Sequence, residues 1–414
     1  GVTWDVFGDS SFKVYANAGR YHLAIPANVA IRGASASLFQ TQYFTYTGVD
    51  PVTGAPTGAT PVTGVFYNNG ADGVTAPDPR TVAAKGLKAY YQDEYILGFD
   101  KTLGSDWTFG AKATYRNLKS IIDDMCDSAP FEHYAERNGI DISNALISGC
   151  YLFNPGGSNT FAVDMGDGTF QDFKLTEADF AGNSNGIGYP KLQRKYLSLN
   201  LYLSHQFSNN WYGKLDYVWS KNYGDSEGML KSDIGQTDPS VTQDWDFPEL
   251  MIGSRGYLPN DRRHQIKAYG YWQMNPEWLF GASLQVASGR PKNCIGNAPA
   301  DPDGAWTYDR QNYGASFFYC DYDVNGTTVK QLGTRGTKGR LPWTYELNLS
   351  AQYTPAWADH KLAFTADVFN VFTQQRKVSV VETQNSVDDV NYGRVISYQT
   401  PRTVRLGVRY DFSL

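Results

Sequence analysis

The sequence predicts an all-β fold: a transmembrane antiparallel β-barrel with long extracellular loops and short periplasmic turns. Three observations predict it. Apolar and polar residues alternate with a period of two in many separate segments; short and long connections alternate strictly along the chain; and no run of about 18 apolar residues exists to make a transmembrane helix. A closed barrel is then the remaining way for this chain to cross a membrane, because lipid offers no partner to a free strand edge. Aromatics make up 15% of the 414 residues and glycine is abundant at 41, a mix suited to strands and turns. The mean hydropathy of -0.44 looks soluble, but alternating faces cancel in any average. No cationic segment followed by an apolar stretch opens the chain, so the expectation is a removed leader or strands preceding Gly1. The net charge of -6 excludes a nucleic-acid partner, which needs a basic face.

Taken in order, residues 1–7 read as a descending strand. Strands then read at 107–122, 211–223, 263–274, 278–289 and 361–374. Leu197, Leu199, Leu201 and Leu203 alternate with Ser198, Asn200, Tyr202 and Ser204. Tyr345, Leu347, Leu349, Ala351 and Tyr353 alternate with Thr344, Glu346, Asn348, Ser350 and Gln352. The last strand, 402–414, sets Val404, Leu406, Val408, Tyr410, Phe412 and Leu414 against Arg405, Gly407, Arg409, Asp411 and Ser413. Its period alone would also suit a soluble sandwich; repetition along the chain favours the barrel.

Short turns are expected at 8–10, 104–106, 209–210, 275–277 and 355–360, all rich in turn formers. Long polar stretches occupy 26–86, 123–190, 225–259, 291–339 and 377–399. Short periplasmic turns and long extracellular loops assign sidedness. Trp107, Trp211, Trp278 and Trp357 lie in or just after short turns, which predicts a periplasmic aromatic girdle. Counting 37–47 as an extracellular hairpin arm leaves eleven crossings. An odd number does not close a typical bacterial barrel, so further strands are expected upstream; promoting 37–47 to a crossing gives the alternative of twelve.

Three segments carry a family likeness: LPNDRRHQIKAYGYW at 258–272, LAFTADVFNVF at 362–372 and PRTVRLGVRYDF at 401–412. In this order and spacing they resemble the C-terminal barrel of TonB-dependent outer-membrane receptors, and within them the Oar-like branch. The resemblance covers essentially the whole chain, so 1–414 is expected to be the C-terminal part of one barrel domain. It implies a barrel of 22 strands, about 11 of them in this sequence, with an N-terminal plug, a TonB box and a carboxypeptidase-regulatory-like domain outside these 414 residues. It further implies a multi-pass barrel in the outer membrane of a Gram-negative bacterium, moving a scarce ligand into the periplasm. The implied partners are TonB through the N-terminal part, membrane lipid and lipopolysaccharide, and a surface lipoprotein or other protein. A passive porin, an adhesion or assembly scaffold and a barrel-embedded hydrolase stand as alternatives. The aromatic residue that usually ends such barrels is here Phe412, followed by Ser413 and Leu414, the last still in phase.

Among candidate sites, Cys126 and Cys150 share one long loop and Cys294 and Cys320 another. Four cysteines allow three connectivities; pairing within each loop closes short rings, and oxidation is expected outside the inner membrane. The spacings are not those of a zinc site. The stretch 123–190 carries eleven acidic residues against Arg137 and Lys174, readable as a solvated loop or an attractor of cations. Asp321, Asp323, Asn325 and Gly326 begin like a calcium loop, but position twelve would be Leu332 instead of a bidentate glutamate. That leaves loop-bound calcium as the one cofactor candidate, against an Asx-rich turn. Residues 182–186 match G-x-S-x-G without the strand and helix a nucleophile elbow needs. No histidine shows ligand spacing, and no catalytic constellation emerges, so the chain is not expected to be an enzyme. Arg405, Arg409 and Asp411 are expected to face the lumen; Arg262 and Arg263 either meet lipopolysaccharide phosphates or pair with Asp261.

Overall fold

The computed structural model describes residues 1–34, 40–67, 78–147, 149–182, 187–299 and 313–412. Eleven strands follow one another along an antiparallel sheet, and a twelfth, the short Gly256–Tyr257, pairs off this path with the end of the strand Trp211–Gly224. The eleven are Val2–Asp5 (β1), Phe12–His22 (β2), Tyr91–Leu103 (β3), Trp107–Ser120 (β4), Arg194–Ser208 (β5), Trp211–Gly224 (β6), His264–Gln273 (β7), Trp278–Ala287 (β8), Thr344–Tyr353 (β9), Leu362–Phe369 (β10) and Thr403–Tyr410 (β11). The sheet is open, with β1 and β11 at its two edges among the described residues. The expected count of eleven crossings matches this path. The alternative of twelve does not hold, because 40–41, 44–45 and 48–49 pair with 66–67, 60–61 and 56–57 in a hairpin of their own. Residues 37–39 of that expected arm lie outside the described residues.

Register shows why the sequence alternates. Phe109, Leu203, Leu215 and Ala268 lie in one row across β4 to β7, and Leu284, Leu347 and their neighbours continue the apolar face. The opposite face carries Lys13 against Asp100 at 2.6 Å, Arg116 paired with Glu94 and Lys214 near Asp216 at 3.5 Å. One face suits lipid and the other a wet lumen. Crowding on the luminal side is handled by glycine: a Cβ on Gly110 would sit 2.3 Å from the Tyr202 ring, which lies over it.

Two strands are shorter than the sequence suggests. The stretch expected to run to 374 ends at Phe369, because Asn370 and Thr373 take left-handed φ of 51° and 54°. Asn370 locks that corner by donating to the Gln374 and Thr400 carbonyls, both at 2.8 Å. The last strand ends at Tyr410, and Leu414 lies outside the described residues.

The packed core lies mostly outside the sheet, which contributes Leu118 at the end of β4. Most of it lies in the loops, where Phe131, Phe153, Phe161, Phe173, Ile121 and Trp245 are each no more than 1% exposed. The stretch expected to be a solvated acidic loop is therefore a folded unit. It holds a helix at Ala129–Asn138, capped by left-handed Gly139, and the paired segments Asn159–Asp164 and Phe170–Leu175. Phe131 meets Phe161 and Tyr151 at ring distances of 5.1 and 5.0 Å, so aromatic burial holds the unit together.

Candidate functional site

The long loops form a crown over one end of the sheet, and buried charge ties them to one another. Asp123, at the foot of the acidic unit, accepts from the Thr242 amide and hydroxyl, both at 2.7 Å, which joins 121–193 to 225–263. Burial, reinforced by Asp124, holds the Asp123 carboxyl well above the usual carboxylate range.

Arg335 is the centre of the crown. Its fully buried guanidinium donates to Asp244 at 2.8 and 3.0 Å and to the Asp225 carbonyl at 2.8 Å, and it lies 3.3 Å from Asp233. Lys231, also fully buried, reaches Asp244 at 3.0 Å, and both cations lie over the Phe318 ring. Against the penalty of burial, Asp244 and Asp233 keep Arg335 charged, and Arg335 with Lys231 holds Asp244 below its ordinary value. Backbone packs just as closely: a Cβ on Gly256 would fall 1.9 Å from the Arg335 carbonyl oxygen.

A second knot joins the last loop. Glu382 accepts from the Asn293 amide and side chain, each at 2.8 Å, and pairs with Arg290. Asn293 in turn takes the Gly336 amide at 2.6 Å. Nearby, the buried Asp261 holds Arg340 and, at 3.1 Å, Arg263. Arg262 instead donates to the Ser288 carbonyl at 3.0 Å.

Beneath the crown, a cavity of about 330 Å³ opens on the luminal face where β2 to β5 end. Its floor is one cross-strand row. Tyr21 opposes Gln92, Gln92 opposes Leu118, and Arg194 lies one step past the last β4–β5 pair, Asn117 with Lys195. Tyr90 and residues 227–230 wall it. The buried Tyr90 hydroxyl bonds Ile122 and Ser240, and burial pushes that phenol up.

No family model matches the chain. Along its whole length it is similar to the TonB-dependent transporter Oar of Myxococcus xanthus, at 27% identity over 478 aligned positions. That alignment takes in 100% of this chain and 38% of the relative. Over its whole length the chain thus resembles barrel sequence of a TonB-dependent outer-membrane transporter. Among solved structures, the chain is similar to the outer-membrane transporter YddB of Escherichia coli, with 12% identity, 99% of this chain and 40% of the other covered, and a TM-score of 0.49. The ferric-catecholate import receptor Fiu of Escherichia coli K12 gives 11% identity, coverage of 97% and 43%, and a TM-score of 0.39. Neither overlap assigns a ligand. The curated relative is named as a transporter and not as an enzyme.

Within the sheet and its loops, the residues singled out in the sequence fall in separate places. Cys126 bonds Cys150 and Cys294 bonds Cys320, so each bridge closes within its own loop. Asp124 clusters with Cys126 and Cys150, but both sulfurs are committed to the bridge. Asp321 and Asp323 belong to a hairpin whose tip is Asn325-Gly326, both at positive φ. There Asp321 meets Lys330 at 2.6 Å and Asp323 accepts the Gly326 amide at 2.7 Å. Arg405 pairs with Asp367 on β10 at 2.9 Å, and Arg409 with Asp411 at 3.2 Å. Trp107, Trp211 and Trp278 each open a strand at the short-turn end, with Trp107 and Trp211 rings 5.7 Å apart, while Trp357 sits in the turn Ala356–Ala358. Ser184 of the G-x-S-x-G match lies outside the described residues. Sequence reasoning missed the crown, Arg335 and Arg194. A signal was present for the first, since Phe161 and Val163 alternate as Phe173 and Leu175 do.

Proposed function

We propose that this barrel belongs to a receptor that captures a scarce ligand at the cell surface and passes it to the periplasm under TonB drive. The likeness of the whole chain to part of a TonB-dependent transporter carries the reading. The chain spans 38% of that relative, so TonB would engage segments outside these 414 residues. The crown supports it physically: loops pinned by buried charge and two disulfides offer a pre-ordered surface, which lowers the entropy cost of capture. Lipid and lipopolysaccharide would border the apolar face. A surface lipoprotein or other protein partner would meet the crown from outside.

The test is depletion of medium components by wild-type cells, by cells lacking this gene and by cells lacking TonB, followed by mass spectrometry. A component whose uptake is lost in both mutants is the expected result. Uptake lost without the gene but intact without TonB would make the barrel a passive porin. No lost uptake at all would leave a scaffold.

A further inference from the structure

We propose that the luminal cleft floored by Tyr21, Gln92, Leu118 and Arg194 binds a small organic anion, an apolar body carrying one carboxylate, with Arg194 as its anchor. This rests on the reading of the chain as a receptor. The cleft, at about 330 Å³, lies at the low end of ligand pockets, which run from roughly 300 to 1,000 Å³. It therefore suits one ring or a short branched chain, and its lining of Leu23, Leu118, Met229 and tyrosine rings suits an apolar one.

Charge decides the other end of the ligand. Arg194 donates to two neutral acceptors, the Glu227 carbonyl and, at 3.4 Å, the Gln92 side-chain oxygen. Among the described residues no carboxylate lies within ion-pair distance of it. Glu227 is near, but its carboxylate is turned away to the Ser232 amide at 2.9 Å and hydroxyl at 2.7 Å. Elsewhere in the crown Arg255, Arg335 and Arg340 each meet an aspartate. Arg116, facing the same lumen, is already paired with Glu94. Arg194 is thus left with no carboxylate in contact beside a largely apolar cavity, Glu227 acting on it only through space. A planar guanidinium in that position favours a carboxylate, which it can hold through two parallel bonds.

Titration calorimetry on the detergent-solubilised full-length receptor tests this, with indole-3-acetate as probe and indole-3-acetamide as its neutral counterpart. The acid is expected to bind at least about tenfold more tightly than the amide, Arg194→Gln to abolish that preference, and Arg194→Lys to keep part of it. Met229→Trp, which fills the cavity and leaves the arginine, is expected to weaken both probes; it serves as the second variant if Arg194→Gln does not fold. Equal binding of acid and amide, absence of binding at millimolar acid, or an undiminished preference in Arg194→Gln would each overturn the proposal. Binding is read without TonB, so loss of TonB dependence in cells would remove the transport reading alone. Equal probe affinities would remove only the anion site.

Discussion

Replacing Arg335 by methionine keeps the apolar stem and removes the charge at the centre of the crown. Asp244 would retain only Lys231, and Asp233 only the Asn293 side chain at 3.4 Å, while the Asp225 carbonyl would lose its donor. Breaking a fully buried charge pair from one side costs about 3–5 kcal/mol, because the remaining carboxylate stays out of water without a partner. The cost falls on the loops and leaves the sheet ladder intact. Local opening should then become roughly a hundred- to several-thousand-fold more frequent in 225–263 and 313–343. Hydrogen–deuterium exchange of the detergent-solubilised receptor reads this directly, with peptides from β4 to β6 as the internal reference. Arg335→Lys should fall between wild type and Arg335→Met, since it keeps charge but not the forked contacts. Exchange in those loops changing by less than about threefold, or rising equally in the strands, would refute the reasoning.

Other outcomes follow from the same geometry. Burial, with Asp233 adding to it, pushes the Glu227 carboxyl up to about 7, and burial pushes Glu382 up to about 7. These groups keep protons in the folded crown that unfolded loops would release, so their contribution to crown stability is fully present below pH 4.5 and is lost as pH rises from there through about 7. Each contributes on the order of 3 kcal/mol; loop melting followed across that range should flatten in Glu227→Gln, and an unchanged slope would contradict the assignment. Replacing Cys126 and Cys150 by serine opens a ring spanning 24 residues and should destabilise the acidic unit by about 3 kcal/mol, read as faster proteolysis there with heat-modifiable barrel migration preserved. Leu201→Arg, placing charge on the apolar face, should cost about 2–4 kcal/mol of barrel stability in urea titration, whereas Asn200→Arg, one residue away and luminal, should cost little.

Much of the barrel is legible in the sequence, because a strand's side chains alternate between two solvents and the alternation is written residue by residue. Leu197 to Leu203 against Ser198 to Ser204, the glycine and asparagine turns, and the contrast of short and long connections determined strand count, order and sidedness. Cysteine positions pointed to pairing within each loop for the same reason: short rings close locally. What only the tertiary structure decided lies where partners are distant in sequence. Asp123 with Thr242, Asn293 with Glu382, and Arg335 with Asp244 join loops that share no periodicity, so acidic residues that look solvated in the sequence become buried partners of a few cations. Arg194 stands out in no way in the sequence, between the long polar stretch that ends at 190 and the alternation that begins at Leu197. Only the fold shows that its neighbouring carboxylate turns away, leaving a cation beside an apolar cavity.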